Sequence, residues 1–319
     1  MSNRIIVGFS YNIDINNLVF ELFLKEIYLY FFIQLIIMDI KGSTNIVGLI
    51  GHPVEHSFSP PMHNAAFDAL GMDYAYVAFD VDPNNLKSAV DGAKSLNVRG
   101  FNVTIPHKIE VMRFLDEIDE VARLIGAVNT IDFKNMKGYN TDGIGAVKAI
   151  EEVTSIKNKN VVVAGAGGAS RAISFYIAKY GADTLTILNR NVEKATSLSE
   201  DVSASNLIYD VKSDSISKIN DYLNDADILI DTTPVGMHPN INDEPIAKSD
   251  DMHEDLAVFD AVYNPNETVL LKEAINAGAK PVYGINMLLY QGAESFKIWT
   301  GREAPVDVME TALRDVLNL

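Results

Sequence analysis

The stretch "VVVAGAGGASRA", Val161 to Ala172, decides how the rest of the chain is read. Three consecutive valines read as a strand buried on both faces. The run then breaks into Gly165-Ala166-Gly167-Gly168-Ala169, and a helix is predicted to begin at once. Glycines let a backbone turn tightly and approach a pyrophosphate, while the helix N-terminus offers free amides to its charge. The pattern is G-x-G-G-A rather than strict G-x-G-x-x-G, and a tight turn after any central strand would also use it. Strand, turn and helix in this order favour dinucleotide binding.

The next strand, "TLTILNR", bears on which dinucleotide. NAD sites place Asp or Glu there, about 20 residues on, to hold a ribose hydroxyl. Here Asn189 and Arg190 stand at the strand end, followed by Lys194. A carboxylate repels a 2′-phosphate, whereas a guanidinium grips it with paired hydrogen bonds. NADP(H) is therefore the expected cofactor; a solvated surface arginine is the other reading.

Further strand-like runs follow at "LIYDV", "DILIDTT" and "LAVFDAVY". An earlier series occupies 45–51, 73–81, 98–105 and 127–133, with helical runs around 61–70, 84–96 and 108–123. Such alternation predicts an α/β protein of two α/β domains, the second a Rossmann-type doubly wound parallel sheet, with the active site in the cleft between them. A hinge is expected near residue 142. The substrate domain is expected over 44–142 plus 284–319, where two helices (284–298 and 304–317) return, and the NADP domain over 143–283.

Composition narrows the function. The 319 residues are 48% hydrophobic, enough for two ordinary cores. A net charge of −17 argues against nucleic acid and anionic membrane surfaces, because phosphate binding needs clustered cations. There is no cysteine, which excludes disulfides, thiolate nucleophiles and Cys-ligated metals and allows an intracellular location. The six histidines lack ligand spacing beside carboxylates, so no metal site is expected. Residues 1–43 read as a leader outside the conserved fold, with the working chain starting at Met38. The uninterrupted apolar part of the leader, Ile27 to Met38, is roughly a dozen residues, short of the ~20 that span a bilayer. An extra surface helix is the alternative.

Polar residues on apolar strands mark a candidate site. In "GFNVTIPHK", Asn102 and Thr104 point the same way and Lys108 follows the proline. "GAVNT" adds Asn129, and "GYNTDGIG" puts Asp142 at the hinge. Separately, Asp142 is readable as a helix N-cap and Lys108 as a surface lysine. Together they suit alcohol–ketone chemistry, in which a lysine in a dry pocket gives or takes the proton and a carboxylate orients the hydroxyl.

These motifs, in this order, resemble the shikimate dehydrogenase family. The carriers are "GHPVEHSFSPPMHNAAF", "FNVTIPHK", "GAVNT", "NTDG", "GAGGASRA", "NR" and "YQGAESF", spread over Ile46–Leu319. The resemblance implies NADPH-dependent reduction of 3-dehydroshikimate to shikimate, on the way to chorismate and aromatic amino acids. It makes Lys108 the acid/base and Asp142 its partner. It gives Ser57 and Ser59 the substrate carboxylate. Asn102, Thr104, Asn129, Tyr263 and Gln291 would grip the ring hydroxyls and carboxylate. Gly165, Ala166, Gly167, Gly168 and Ala169 would take the pyrophosphate, and Asn189, Arg190 and Lys194 the adenosine phosphate. Ala261 and Gly284 would lie near the nicotinamide, with Glu120 on the cofactor side. "TTPVGM" departs from the commoner "TSxxGM", and "PHK" from "PFK", which leaves His107 as a packing residue. Gln291 is expected to be the exposed member of an otherwise apolar helix. A cytoplasmic monomer or homodimer is expected. The rivals are a quinate/shikimate dehydrogenase that also uses NAD, and a non-catalytic NADP-sensing protein on the same scaffold.

Overall fold

The computed structural model describes residues 40–317 and 319. The reading of the leader falls almost wholly outside the described residues. Thr44–Leu319 forms one compact unit holding two six-stranded sheets.

The first sheet draws on β1 (Asn45–Gly51), β2 (Tyr74–Asp80), β3 (Gly100–Val103), β4 (Glu117–Ile118), β5 (Thr130–Asp132) and β6 (Lys137–Tyr139), in the order β2-β1-β3-β5-β6-β4. β1 runs parallel to β2 and β3, whereas β5 is antiparallel to both β3 and β6. Its helices are α1 (Ser59–Ala69), α2 (Leu86–Ser95) and α3 (Glu120–Ile125). The single helix expected over 108–123 is instead a 3₁₀ turn at Glu110–Phe114, then β4, then α3. Leu115 is extended, and Asp119 caps α3 by accepting the Val121 N–H. An aspartate at that position starts a new helix more readily than it continues an old one.

A long helix, α4 (Asp142–Glu151), leads to the second sheet. There follow β7 (Asn160–Ala164), α5 (Gly168–Lys179), β8 (Thr184–Asn189), α6 (Val192–Ala204), β9 (Asp210–Ser215), α7 (Ile219–Leu223), β10 (Ile228–Asp231), β11 (Ala257–Asp260), α8 (Val269–Asn276) and β12 (Lys280–Tyr283). All are parallel, in the order β12-β11-β10-β7-β8-β9. Strand order reverses between β7 and β10, which opens a crevice at their carboxyl ends. β9 begins later than the apolar run "LIYDV" implied. Ile208 is buried before the strand starts, and the edge strand itself is polar.

The chain then returns. α9 (Gly284–Thr300) and α10 (Val306–Leu317) pack on the first sheet, where Leu289, Phe296, Trp299, Met309 and Leu313 join Val47, Leu49 and Phe67 in one core. α4 is held between α5 and α9 by two glycines. A Cβ on Gly143 would overlap the Ala172 carbonyl and Tyr176; one on Gly145 would lie 2.7 Å from the Met287 carbonyl and 2.8 Å from the Gln291 nitrogen. Side chains at these positions would push the helices apart, and with them the two sheets.

Candidate active site

α1 begins directly after the loop that follows β1, and its first residue is Ser59. The Ser59 N–H donates to Ser57 Oγ at 3.2 Å, so the two serines meet at the mouth of the helix. Lys108 follows β3, and its carbonyl accepts the Val128 N–H at 2.8 Å, which ties it to the segment leading into β5. Asp142 is the first residue of α4, one past the N-cap Thr141, so its carboxylate is free of capping duty. Lys108 Nζ donates to Asp142 Oδ2 at 2.7 Å, with the lysine side chain 29% exposed and the aspartate 17%. The partner oxygen, Oδ1, accepts Asn129 Nδ2 at 2.8 Å.

These groups line a cavity of ≈ 430 Å³. Of the expected residues, Ser57, Ser59, Asn102, Thr104, Lys108, Asn129, Asp142, Ala169, Tyr263, Ala261, Gly284 and Gln291 share its wall. Both sheets contribute: the serines, Asn102 and Lys108 come from the first, Ala169 and Ala261 from the second. Tyr263 packs edge-on against Phe58 at 6.1 Å, and burial raises its phenol above the ordinary value. His107 is buried and bonded to the Val81 carbonyl at 2.7 Å, turned away from the site as expected. Gln291 corrects its expectation. It is 9% exposed, and Nε2 donates to the Leu288 carbonyl at 2.9 Å, because its helix face turns toward α4. Asn102 is 5% exposed, and both ends of its amide are engaged by the protein.

The glycine turn lies at the crevice of the second sheet. Gly165 has φ +109°, a left-handed conformation, and a Cβ there would strike Thr232 Oγ1 at the end of β10. Only glycine satisfies both demands. Gly167 and Gly168 face open space, with no atom within 4 Å of a Cβ position, at the N-terminus of the twelve-residue α5. Asn189 donates to the Asn191 carbonyl at 3.0 Å, and Asn191 caps α6 by accepting the Lys194 N–H. Arg190 and Lys194 are exposed, and no ion pair engages either among the described residues. Glycine cradle, helix terminus and two free cations fit a phosphorylated dinucleotide. Glu120 is exposed in the first turn of α3.

Residue patterns did not single out Thr130, Thr141, Ser295 or Tyr76, all buried and all bonded to expected site residues. Thr130 and Thr141 are chain neighbours of Asn129 and Asp142, and Ser295 follows Gln291 by one helical turn. Those were the available signals. No metal-binding cluster and no helix long and apolar enough to cross a membrane occur among the described residues.

A doubly wound sheet with a phosphate cradle at its switch point, facing a second α/β layer that carries a lysine–carboxylate pair, defines a pyridine-nucleotide oxidoreductase. Family models agree along the chain: a shikimate dehydrogenase substrate binding domain over residues 49–131, shikimate / quinate 5-dehydrogenase over 147–266, and a shikimate 5'-dehydrogenase C-terminal domain over 284–314. A shikimate dehydrogenase (NADP(+)) of Methanobrevibacter smithii is 72% identical over 280 residues, 88% of this chain and 100% of that protein. A solved shikimate dehydrogenase in complex with NADP+ is 53% identical with a TM-score of 0.82, covering 87% of this chain and 97% of that one. The Listeria monocytogenes shikimate 5-dehydrogenase, solved with shikimate and NAD, is 35% identical with a TM-score of 0.83, covering 87% and 99%. The chain belongs to the shikimate dehydrogenase family.

Proposed function

We propose that this chain reduces 3-dehydroshikimate to shikimate with NADPH, reversibly, in the supply of chorismate for aromatic amino acids. The observation that carries the reading is the 2.7 Å contact between Lys108 Nζ and Asp142 Oδ2, sheltered in a cavity that also holds the Ser57 and Ser59 hydroxyls. The serines hold the substrate carboxylate as hydroxyl donors, which an acidic protein can present without a strong cation. Lys108 gives a proton to the substrate oxygen as the carbonyl becomes an alcohol, and takes it back in the reverse direction. Asp142 keeps Nζ aimed at that oxygen and balances its charge. Thr104, Asn129, Tyr263 and Gln291 line the walls that orient the ring.

The cofactor supplies the hydride when bound. Gly165 to Ala169 and the α5 N-terminus fit its pyrophosphate. Asn189, Arg190 and Lys194 fit the phosphorylated ribose, and Ala261 and Gly284 border the nicotinamide side. Arg190 favours NADP over NAD, because a guanidinium is wasted on a bare hydroxyl. We assign the substrate lobe to 44–142 plus 284–319 and the cofactor lobe to 143–283. We further assign the working enzyme to the cytoplasm, where NADPH is the common reductant, as a monomer or homodimer.

Appearance of NADPH absorbance with shikimate, compared with quinate and with NAD, tests the activity. Lys108→Ala is expected to lower kcat by about 10²–10⁴-fold with little change in KM. A rise in KM alone would make Lys108 a binding residue and overturn the assignment.

A further inference from the structure

Hydrogen-bond chemistry fixes the direction of a chain of donors behind the site. Asn129 Nδ2 donates to Asp142 Oδ1 at 2.8 Å, and the Thr141 N–H donates to Asn129 Oδ1 at 2.7 Å. A carboxylate only accepts and an amide N–H only donates, so the Asn129 amide cannot be flipped. Its Oδ1 also accepts the Thr130 hydroxyl at 3.0 Å. With its proton committed there, Thr130 Oγ1 is an acceptor, and it faces Asn102 Nδ2 at 3.1 Å and Ser295 Oγ at 2.9 Å. Asn102 is fixed in turn, since Tyr76 donates to its Oδ1 at 2.8 Å, which leaves Nδ2 to serve Ser295 at 2.9 Å and Thr130. The links from Tyr76 through Asn102, Thr130 and Asn129 run in one direction, toward Asp142. Tyr76, Asn102, Asn129, Thr130 and Ser295 are each at most 5% exposed, so solvent does not compete for the links.

We propose that Thr130 and Ser295 are positioning residues for the proton-transfer pair. The Thr130 hydroxyl holds the Asn129 amide so that Nδ2 serves Asp142 and Asp142 stays turned toward Lys108, and Ser295 packs its hydroxyl against Thr130 and Thr141 to keep them in place. Aligned donors polarise one another, so the last link to the carboxylate is stronger than an isolated amide contact. Ser295 also ties α9, which carries Gln291 and Gly284, to this alignment, because it sits within reach of Thr130, Thr141 and the Gln291 carbonyl. The charged and titratable neighbours of Asp142 are few. Lys108 bonds it directly, and Tyr176 on α5 faces it while donating to the Asn140 carbonyl at 3.0 Å. α9 presents the neutral Gln291 and Ser295, and its Glu294 pairs with Lys148 further along α4.

The inference rests on the proposed activity, and the test separates the two. Thr130→Val, Thr130→Ser and Ser295→Ala are assayed with shikimate and NADP, beside the unaltered chain. Thr130→Val and Ser295→Ala are expected to lose about tenfold in kcat, the usual weight of one hydrogen bond serving a charged group. KM for shikimate should stay within about twofold, so that the loss falls on kcat. Thr130→Ser keeps the hydroxyl and should restore kcat. An unchanged kcat, a loss that appears in KM instead of kcat, no rescue by Thr130→Ser, or losses that track only the folded fraction measured by circular dichroism, overturns the proposal. If the unaltered chain fails to oxidise shikimate, the activity itself is wrong, whatever the variants do.

Discussion

Asp231→Asn should make the protein more stable in mildly alkaline solution. Asp231 and Asp260 end the neighbouring parallel strands β10 and β11 in direct register, 1% and 0% exposed. Asp231 accepts the Thr233 N–H at 2.8 Å; Asp260 accepts the Val262 N–H at 2.9 Å and the Thr268 hydroxyl at 2.6 Å. No cation is among these partners. Burial, then the charge of Asp260, pushes Asp231 up from 3.8 to about 8, while burial lifts Asp260 to about 6. Between the unfolded value and the folded one, the native chain keeps the Asp231 proton and the unfolded chain releases it. The native state binds more protons there, so stability falls as pH rises through that window. The rise converts to roughly 6 kcal/mol if all of it reaches global stability. Asparagine imitates the protonated acid in shape and carries no charge, so the variant escapes this loss. Urea denaturation across a pH series should show the two proteins within about 1 kcal/mol near pH 5, and the variant ahead by about 3 kcal/mol or more near pH 8.5. Parallel curves for the two proteins would refute the reasoning, since they would mean Asp231 is ionised in the fold throughout.

Other perturbations probe other links. Gly145→Ala drives a methyl against the Met287 carbonyl and the Gln291 nitrogen, and should cost about 1–3 kcal/mol in denaturant melts with reduced shikimate turnover. Arg190→Ala should raise KM for NADP at least tenfold while leaving NAD kinetics nearly unchanged, because only the 2′-phosphate needs the guanidinium; steady-state kinetics with each cofactor decides it. Trp299→Phe strands the Ile131 carbonyl, which now accepts indole Nε1 at 3.0 Å, and should lower stability by about 1–3 kcal/mol with KM unmoved.

The parallel second sheet was legible because its strands are continuous Val/Ile runs separated by helical periodicity, and because the glycine turn marks the junction of a buried strand with a helix. Lys108, Asp142 and the paired serines were legible as motifs, since each sits at a strand end or helix start that local pattern locates. The 108–123 region was not, because three short elements share its apolar spacing, and only pairing of β4 with β6 selects strand over helix there. The sequence by itself therefore determined the class of fold, the glycine turn and the polar residues at strand ends and helix starts, all of which are local properties of a few consecutive residues. The tertiary structure alone decided that Lys108 and Asp142, 34 positions apart, meet at 2.7 Å, that Gln291 turns inward, and that Asn102, Asn129, Thr130 and Ser295 join into one directed chain. Those outcomes depend on how closely α4, α9 and two sheets approach, a distance set by packing between segments far apart in the chain.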